Sequence, residues 1–397
     1  MPAPETRIPV RELRRDPDAA LQRASELGDL VWVRAGRGRF LLTRSPDAVR
    51  ELLVERSAEL AKPRSQRIAV GPPAPEPPPG GISPARLRRA LAKGMGAERA
   101  AETADLLASE LAAATAGWQD GERVRLMPWL RPPVIRAVVG GAFASSLSDA
   151  EVATLEGFLR WSDRTPRVEG RGPSRHGLTR PAALARLSVV ARSLLANVDL
   201  SRPSELSALV LDHGEFATSF GDRDRQALAG ELLVGAVGPL VQSAGWTLFR
   251  LAENGPPDDT QAFVREVTRL HPTNPHITRV AVADTTIGGE PVPAHTRVIL
   301  DVAALHRDPQ LWDDPDRFRP ERWLDGRAPE QKFVYAAFGI GDRRCLGEAI
   351  ALRALAALVE TIGRSWELAF DAADETVRGR RQLADTVTVT ARRRRGR

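Results

Sequence analysis

From Ser45-Pro46-Asp47 to about residue 270, apolar residues recur mostly at three- and four-residue spacing. That period belongs to helices with one buried face, so most of the chain is committed to a helical core. The Ser-Pro-Asp run supplies a good helix start. Before it, Leu30–Val33 and Arg39–Thr43 are short β-prone runs around Ala-Gly-Arg-Gly and predict a hairpin. Two stretches interrupt the helical pattern. Gly71 to Gly81, with Pro-Pro-Ala-Pro-Glu-Pro-Pro-Pro, is expected as an extended loop, and the polar, Arg- and Gly-rich Arg164 to Arg175 as a mobile one. After residue 276 the pattern turns to strands. Thr278–Val282 and Arg297–Leu300 flank Gly288-Gly289, which suggests hairpin chemistry. A helix is expected from about Gly347 to Ile362 and a last strand near Thr386–Thr390. With no internal repeat and no separating linker, the reading is one domain over residues 1–397, mainly α with a small β portion.

With 397 residues, 42% of them apolar, the chain can bury a large core. Its one cysteine, Cys345, excludes an intramolecular disulfide and fits a reducing compartment. Met1 to Arg14 is charged and proline-bearing, unlike a signal peptide. The longest apolar stretch, Leu232 to Val241, ends at Gln242 and Ser243 and is too short to span a bilayer. A soluble cytoplasmic protein, with no membrane partner, is expected. The net charge of +6 is carried almost entirely by arginine, Lys62, Lys93 and Lys332 being the lysines. Together with abundant alanine, this looks like codon bias from a GC-rich bacterial genome. The Arg392–Arg395 run lacks interleaved aromatics and zinc-finger spacing, so it reads as a solvated end rather than a nucleic-acid site.

Cys345 lies in Phe338-Gly339-Ile340-Gly341-Asp342-Arg343-Arg344-Cys345-Leu346-Gly347-Glu348, just before an apolar-periodic helix. A lone cysteine is most often a buried structural thiol. Here Gly341 and Gly347 offer the freedom for a tight turn and for close approach to a flat ligand. A following helix N-terminus and two arginines favour thiolate over thiol. Phe338 can lie over the sulfur and shield it from water.

This run resembles the haem-ligand loop of the cytochrome P-450 family, where a phenylalanine, glycine, basic residue, cysteine and glycine recur at these spacings. The resemblance extends over nearly the whole chain. It implies the family's triangular, mainly helical prism enclosing one haem b (iron protoporphyrin IX), with Cys345 as the iron ligand. Further matches follow in order. Glu266-Val267-Thr268-Arg269 is similar to the family's Glu-x-x-Arg helix, and Phe318-Arg319-Pro320-Glu321-Arg322 to the segment whose arginine joins that pair in a buried salt-bridge core. Arg88, Arg279 and Arg343 match positions that hold the haem propionates, a role suited to the planar guanidinium. One departure is Pro84, where bacterial members often carry a histidine. The six histidines show no zinc spacing, and His306 resembles a structural family segment.

The larger departure falls on the long helix expected from about Asp222 to Glu253. It matches the family's central helix, which there carries Ala-Gly-x-Asp/Glu-Thr. The matching residues are Gly235-Ala236-Val237-Gly238-Pro239, so Gly238 stands for the acid and Pro239 for the alcohol. A positioned hydroxyl and its water chain deliver protons to the activated oxygen by general acid catalysis, and neither glycine nor proline can donate one. Proline also lacks an N–H, so the carbonyl of Gly235 loses its helical partner and the helix is expected to kink. Three replacements stay open: a substrate hydroxyl or bound water; Gln242 and Ser243, three and four residues on; or a route that bypasses dioxygen activation. A fourth reading is a tolerated kink with ordinary hydroxylation.

By the resemblance, the expected function is oxidation of a specialised small metabolite by hydroxylation, epoxidation or ring closure. Electrons would come through a ferredoxin and its reductase, steered by Lys332, Arg343 or, better, Arg344. The alternatives are a peroxide-dependent or redox-partner-free enzyme, and a haem-binding or sensing protein without turnover.

Overall fold

The computed structural model describes residues 2–61, 88–89, 91–92, 94–164, 180–202, 204, 222–324, 333–370 and 383–394. Gly71–Gly81, Pro84, Lys62, Lys93, Lys332, Arg395 and all of Arg164–Arg175 beyond Arg164 itself lie outside the described residues. Among those described, the strands in chain order are β1 (Glu5–Arg7), β2 (Leu30–Ala35), β3 (Gly38–Thr43), β4 (Leu60–Ala61), β5 (Glu122–Arg125), β6 (His276–Ala281), β7 (Thr285–Ile287), β8 (Glu290–Val292), β9 (Arg297–Asp301), β10 (Trp366–Phe370) and β11 (Thr388–Arg393). The chain divides into two compact units, each assembled from separate stretches.

The first unit combines residues 2–61 with Arg265–Cys345. Its frame is a six-stranded sheet in the order β1-β2-β3-β9-β6-β4. The expected hairpin is β2–β3, with Ala35 opposite Gly38 across a two-residue turn. Gly36 opens that turn at φ +60, a conformation glycine adopts without strain. Alternation along β2 sorts its side chains to two faces. Val31 and Val33 pack with Ile8, Leu21 and Ala24, while Trp32 packs with Leu52, Leu53 and Val298. Each fully buried leucine or valine contributes about 1.5–3 kcal/mol. Helix Pro46–Arg50 starts where expected, with the Ser45 side chain accepting from the Ala48 N–H, and passes directly into a π-helical turn at Glu51–Glu55.

Two features differ from the sequence expectation. Gly288-Gly289, at φ +56 and +79, turns a separate small hairpin, β7–β8. The strands on either side, β6 and β9, pair antiparallel in the main sheet. The N-terminal segment, unassigned from sequence, forms β1 parallel to β2, because partner strands rather than local propensity decide such pairing.

The second unit is mostly helical, built from helices Ala97–Thr115, Leu126–Ala137, Asp149–Arg164, Arg180–Ala196, Asp222–Asn254 and Glu348–Ser365. Its small sheet, in the order β10-β11-β5, places the expected terminal strand between two partners. Helix Ala97–Thr115 packs along Glu348–Ser365. A Cβ on Gly141 would lie 2.4 Å from the Cα of Thr103, so only glycine fits there. The central helix, Asp222–Asn254, runs on as helix through Pro239. By length and mean hydropathy (1.4), Arg225–Asn254 could cross a bilayer, unlike the shorter apolar core considered from sequence. It is largely buried against its own unit, from Leu240 through Phe249 without a break, as expected of a core helix.

Candidate active site

The densest polar cluster of the first unit forms around Glu266, which sits with Arg269 one turn apart on helix Thr260–Leu270. Both side chains are fully buried. Arg269 donates to the Glu266 carboxylate through Nε (2.9 Å) and Nη2 (2.7 Å). Arg322, from the turn Pro320–Trp323, adds a third contact at 3.1 Å. The Arg319 N–H (3.0 Å) and the Trp323 indole N–H (3.0 Å) complete the set. Burial pushes the Glu266 carboxyl up, but the hydrogen bonds and charges of Arg269, Arg319 and Arg322 outweigh it and hold it below the ordinary range. The remaining arginine donors reach backbone carbonyls of His306, Asp313, Asp314, Pro315 and Arg317. The buried triad expected from the sequence is therefore present. Trp323 was not anticipated, although it directly follows Arg322.

His306 ties this cluster to the cysteine loop. Its ring is fully buried, with Nδ1 2.9 Å from the Arg269 carbonyl and Nε2 accepting the Ala336 N–H at 2.9 Å. Nδ1 therefore carries the proton and the ring is neutral. Burial lowers its pKa to about 3, and the charges of Arg269 and Arg307 act in the same direction. The ring stacks on Tyr335 at 5.4 Å, and the Tyr335 hydroxyl lies 2.7 Å from Thr268 Oγ1.

Two residues beyond Ala336, the Phe338 carbonyl accepts the Cys345 N–H at 2.7 Å, closing the loop. Gly341 occupies φ +70, and a Cβ there would meet the Leu53 carbonyl oxygen at 2.5 Å, so the loop lies against the π-helical turn. A 3₁₀ turn, Gly341–Arg343, leads to Cys345, which is exposed and carries no disulfide. Phe338 and Cys345 are linked through this backbone hydrogen bond. Gly347, which belongs to the second unit, caps helix Glu348–Ser365 at an ordinary φ of −87. Arg344 is exposed.

Arg279, on β6, is buried to 7% exposure and donates to the Thr278 carbonyl at 3.0 Å. Among the described residues it pairs with no carboxylate. Burial pushes its pKa down to about 10, and the charge of Arg343 adds to that. The charge of Arg343 felt at a buried Arg279 makes this a setting that favours a bound anion. Arg88 lies half-buried in the second unit.

On the central helix, Gly235 and Pro239 are exposed while Val237 and Leu240 are buried. A Cβ on Gly238 would touch Leu159 at 3.5 Å, so its side of the helix is packed. Gln242 is buried, its side-chain oxygen accepting the Leu383 N–H at 3.1 Å. Ser243 is 9% exposed.

Fold and site define a mainly helical protein that presents a loop cysteine from a unit braced by buried charge. Residues 260–386 match the family model "Cytochrome P450". The chain is 41% identical over 110 residues to cyclooctat-9-en-7-ol 5-monooxygenase of Streptomyces melanosporofaciens, covering 28% of this chain and 24% of that protein. It is 43% identical over 101 residues to the steroid 17-alpha-hydroxylase/17,20 lyase of Rattus norvegicus, covering 24% and 20%. The matched segments thus span about a quarter of these relatives' length. Among solved structures, retinoic acid-bound cyanobacterial CYP120A1 superposes with a TM-score of 0.78 at 17% identity over 99% of each chain. Cytochrome P450EX alpha (CYP152N1) with myristic acid superposes at 0.75 and 18% identity, over 99% of this chain and 100% of the other. The fold is thus that of these solved cytochrome P450 structures, and residues 260–386 carry the sequence match to that family's model. The family's cofactor is haem b, and the exposed thiol, the Gly341 turn and the buried Arg279 fit it.

Proposed function

We propose that the chain is a haem-thiolate monooxygenase acting on a specialised small metabolite, folded as one functional domain and working in the cytoplasm. The observation that carries the reading is an exposed Cys345 thiol following a glycine turn, in a unit that also buries Arg279 with no carboxylate partner among the described residues. Haem bound through a thiolate supplies oxygen activation, the sulfur's electron donation favouring O–O cleavage. The chain's own residues do the rest. Cys345 ligates, with Phe338, Gly341 and Gly347 shaping its surroundings. Arg279 and Arg343 hold the propionates, and Arg88 matches a further propionate position by the family resemblance. The Glu266–Arg269–Arg322 cluster and His306 keep the loop in register. Exposed Arg344 steers an acidic ferredoxin, itself reduced by a ferredoxin reductase. The name of the Streptomyces relative supports a specialised metabolite as substrate.

The test is the carbon monoxide difference spectrum of the dithionite-reduced holoprotein beside Cys345→Ala. A strongly red-shifted Soret band, absent from the variant, is expected. An imidazole-like band in well-folded wild type would remove the thiolate and the enzymatic reading with it.

Gly238 and Pro239, in place of an acid and an alcohol, favour a second reading in which peroxide is the oxidant. Product oxygen labelled from dioxygen, with turnover requiring reductant, would count against it. Product formation from any substrate would end the reading of a haem-binding protein without turnover.

A further inference from the structure

The central helix has one open stripe, and its polar groups define what can bind there. Pro239 has no N–H, so the Gly235 carbonyl, one turn earlier, has no helical donor in the usual position. Both residues flanking that missing bond are exposed, on a helix whose neighbouring positions Val237, Leu240 and Val241 are buried. A Cβ built on Gly235 meets nothing within 4 Å, so the outer face of the helix at this residue is open. One turn beyond Pro239 stands Ser243, nine-tenths buried. Its carbonyl accepts from Thr247 Oγ1 at 2.7 Å, but its hydroxyl makes no hydrogen bond among the described residues. Side chains on a helix lean toward its N-terminus, so this hydroxyl leans back toward the Pro239 ring. Gln242, the other polar candidate, has its oxygen engaged by Leu383.

We propose that the Gly235 carbonyl, the Pro239 ring and the Ser243 hydroxyl form a binding site for a neutral hydroxyl group on the substrate. The proposal rests on the oxidative reading above and deepens it by naming the substrate class as an alcohol or phenol. The carbonyl needs a donor, and the Ser243 hydroxyl can donate to the same ligand oxygen. A carboxylate is a poor match. It would face the negative end of the carbonyl dipole, and Glu231 stands one turn before Gly235 on the same stripe. No cation lies on the stripe formed by Glu231, Gly235, Pro239 and Ser243 to offset this. A bound O–H also brings an exchangeable proton to the stretch where Gly238 and Pro239 can supply none.

The experiment titrates the haem-loaded protein by calorimetry with 1-octanol and its isomer 1-methoxyheptane, which has the same atom count but no O–H. Wild type is expected to bind the alcohol about tenfold more tightly than the ether, the difference expected for one hydrogen bond. Pro239→Ala returns an N–H to the Gly235 carbonyl and should reduce the preference to about twofold or less. Ser243→Ala should reduce it in part, and Ser243→Thr should retain it. Equal affinity for the two probes in wild type, no measurable binding of the alcohol, or an undiminished preference in both Pro239→Ala and Ser243→Ala would overturn the proposal. Failure of the haem-thiolate reading is seen separately, as a missing red-shifted band in wild type before any probe is added.

Discussion

The Cys345 region and the central-helix stripe solve opposite problems. Around Cys345 nearly every named group is held by others. Glu266 receives five hydrogen bonds, from Arg269, Arg322, Arg319 and Trp323, and both ring nitrogens of His306 are committed. Along Gly235–Ser243 the chain instead withholds side chains and one backbone donor, and in the proposed site a carbonyl and a hydroxyl with no side-chain partner among the described residues await a ligand. The first region is rigid because its polar groups satisfy one another. The second is receptive because its groups do not. A family resemblance is therefore most reliable where residues interlock, and least informative where a ligand completes the site.

The largest effect expected of this contrast is from Glu266→Gln. Removing the carboxylate strands the buried Arg269 and Arg322 charges and should cost roughly 3–5 kcal/mol of stability. Denaturant titration, with haem retention followed by absorbance, measures it. A loss below about 1 kcal/mol would show that the cluster is not the brace described here.

Next in size is the acid response of His306. Its folded pKa of about 3 lies below that of a free histidine, so between these values the unfolded chain binds the extra proton. Stability contributed by the neutral ring is complete above about pH 6.5. It falls by roughly 1.4 kcal/mol per pH unit as pH drops toward 3, or about 2 kcal/mol by pH 5. His306→Gln should flatten that slope in melts at pH 7 and pH 5. Glu266, held low, acts only further down: its contribution is present above about pH 4.5 and is lost as pH falls through its folded value. A slope unchanged in His306→Gln would assign the acid sensitivity elsewhere.

Two glycines sharpen the comparison with smaller effects of opposite sign. Gly341→Ala must adopt φ +70 and clears the Leu53 carbonyl only if the backbone shifts, costing about 1–3 kcal/mol and reducing the red-shifted fraction of the carbon monoxide spectrum. Gly235→Ala meets no neighbour and improves helix propensity, so stability should rise by about 0.5–1 kcal/mol. Equal changes in both variants would erase the distinction between a braced region and an open one.

Much of the braced region was legible before any coordinates. The Cys345 loop, the Glu266–Arg269 pair with Arg322, and the β2–β3 hairpin are encoded by short spacings and turn residues. The joining of His306 to Ala336 was not, because a hydrogen bond between residues thirty positions apart leaves no period in the sequence. The close approach of Gly341 to Leu53 was equally hidden, although a glycine two residues after Gly339 signalled that the backbone needed freedom. On the open stripe, Gln242 and Ser243 looked equivalent by spacing. The Leu383 N–H, from a segment 141 residues away, separated them.

What the sequence determined by itself was local: which stretches take helical or extended period, where the chain turns, where a donor is missing at Pro239, and which residue offers a thiol. These depend on a few neighbouring bonds and on the chemistry of single side chains. Tertiary structure alone decided which of the polar residues are satisfied and which are left to bind. The N-terminal strand paired only once β2 stood beside it, and β11 took its place between β10 and β5. Long-range packing settles such outcomes because a buried polar group is governed by whatever partner the fold brings to it, and that partner is written elsewhere in the chain.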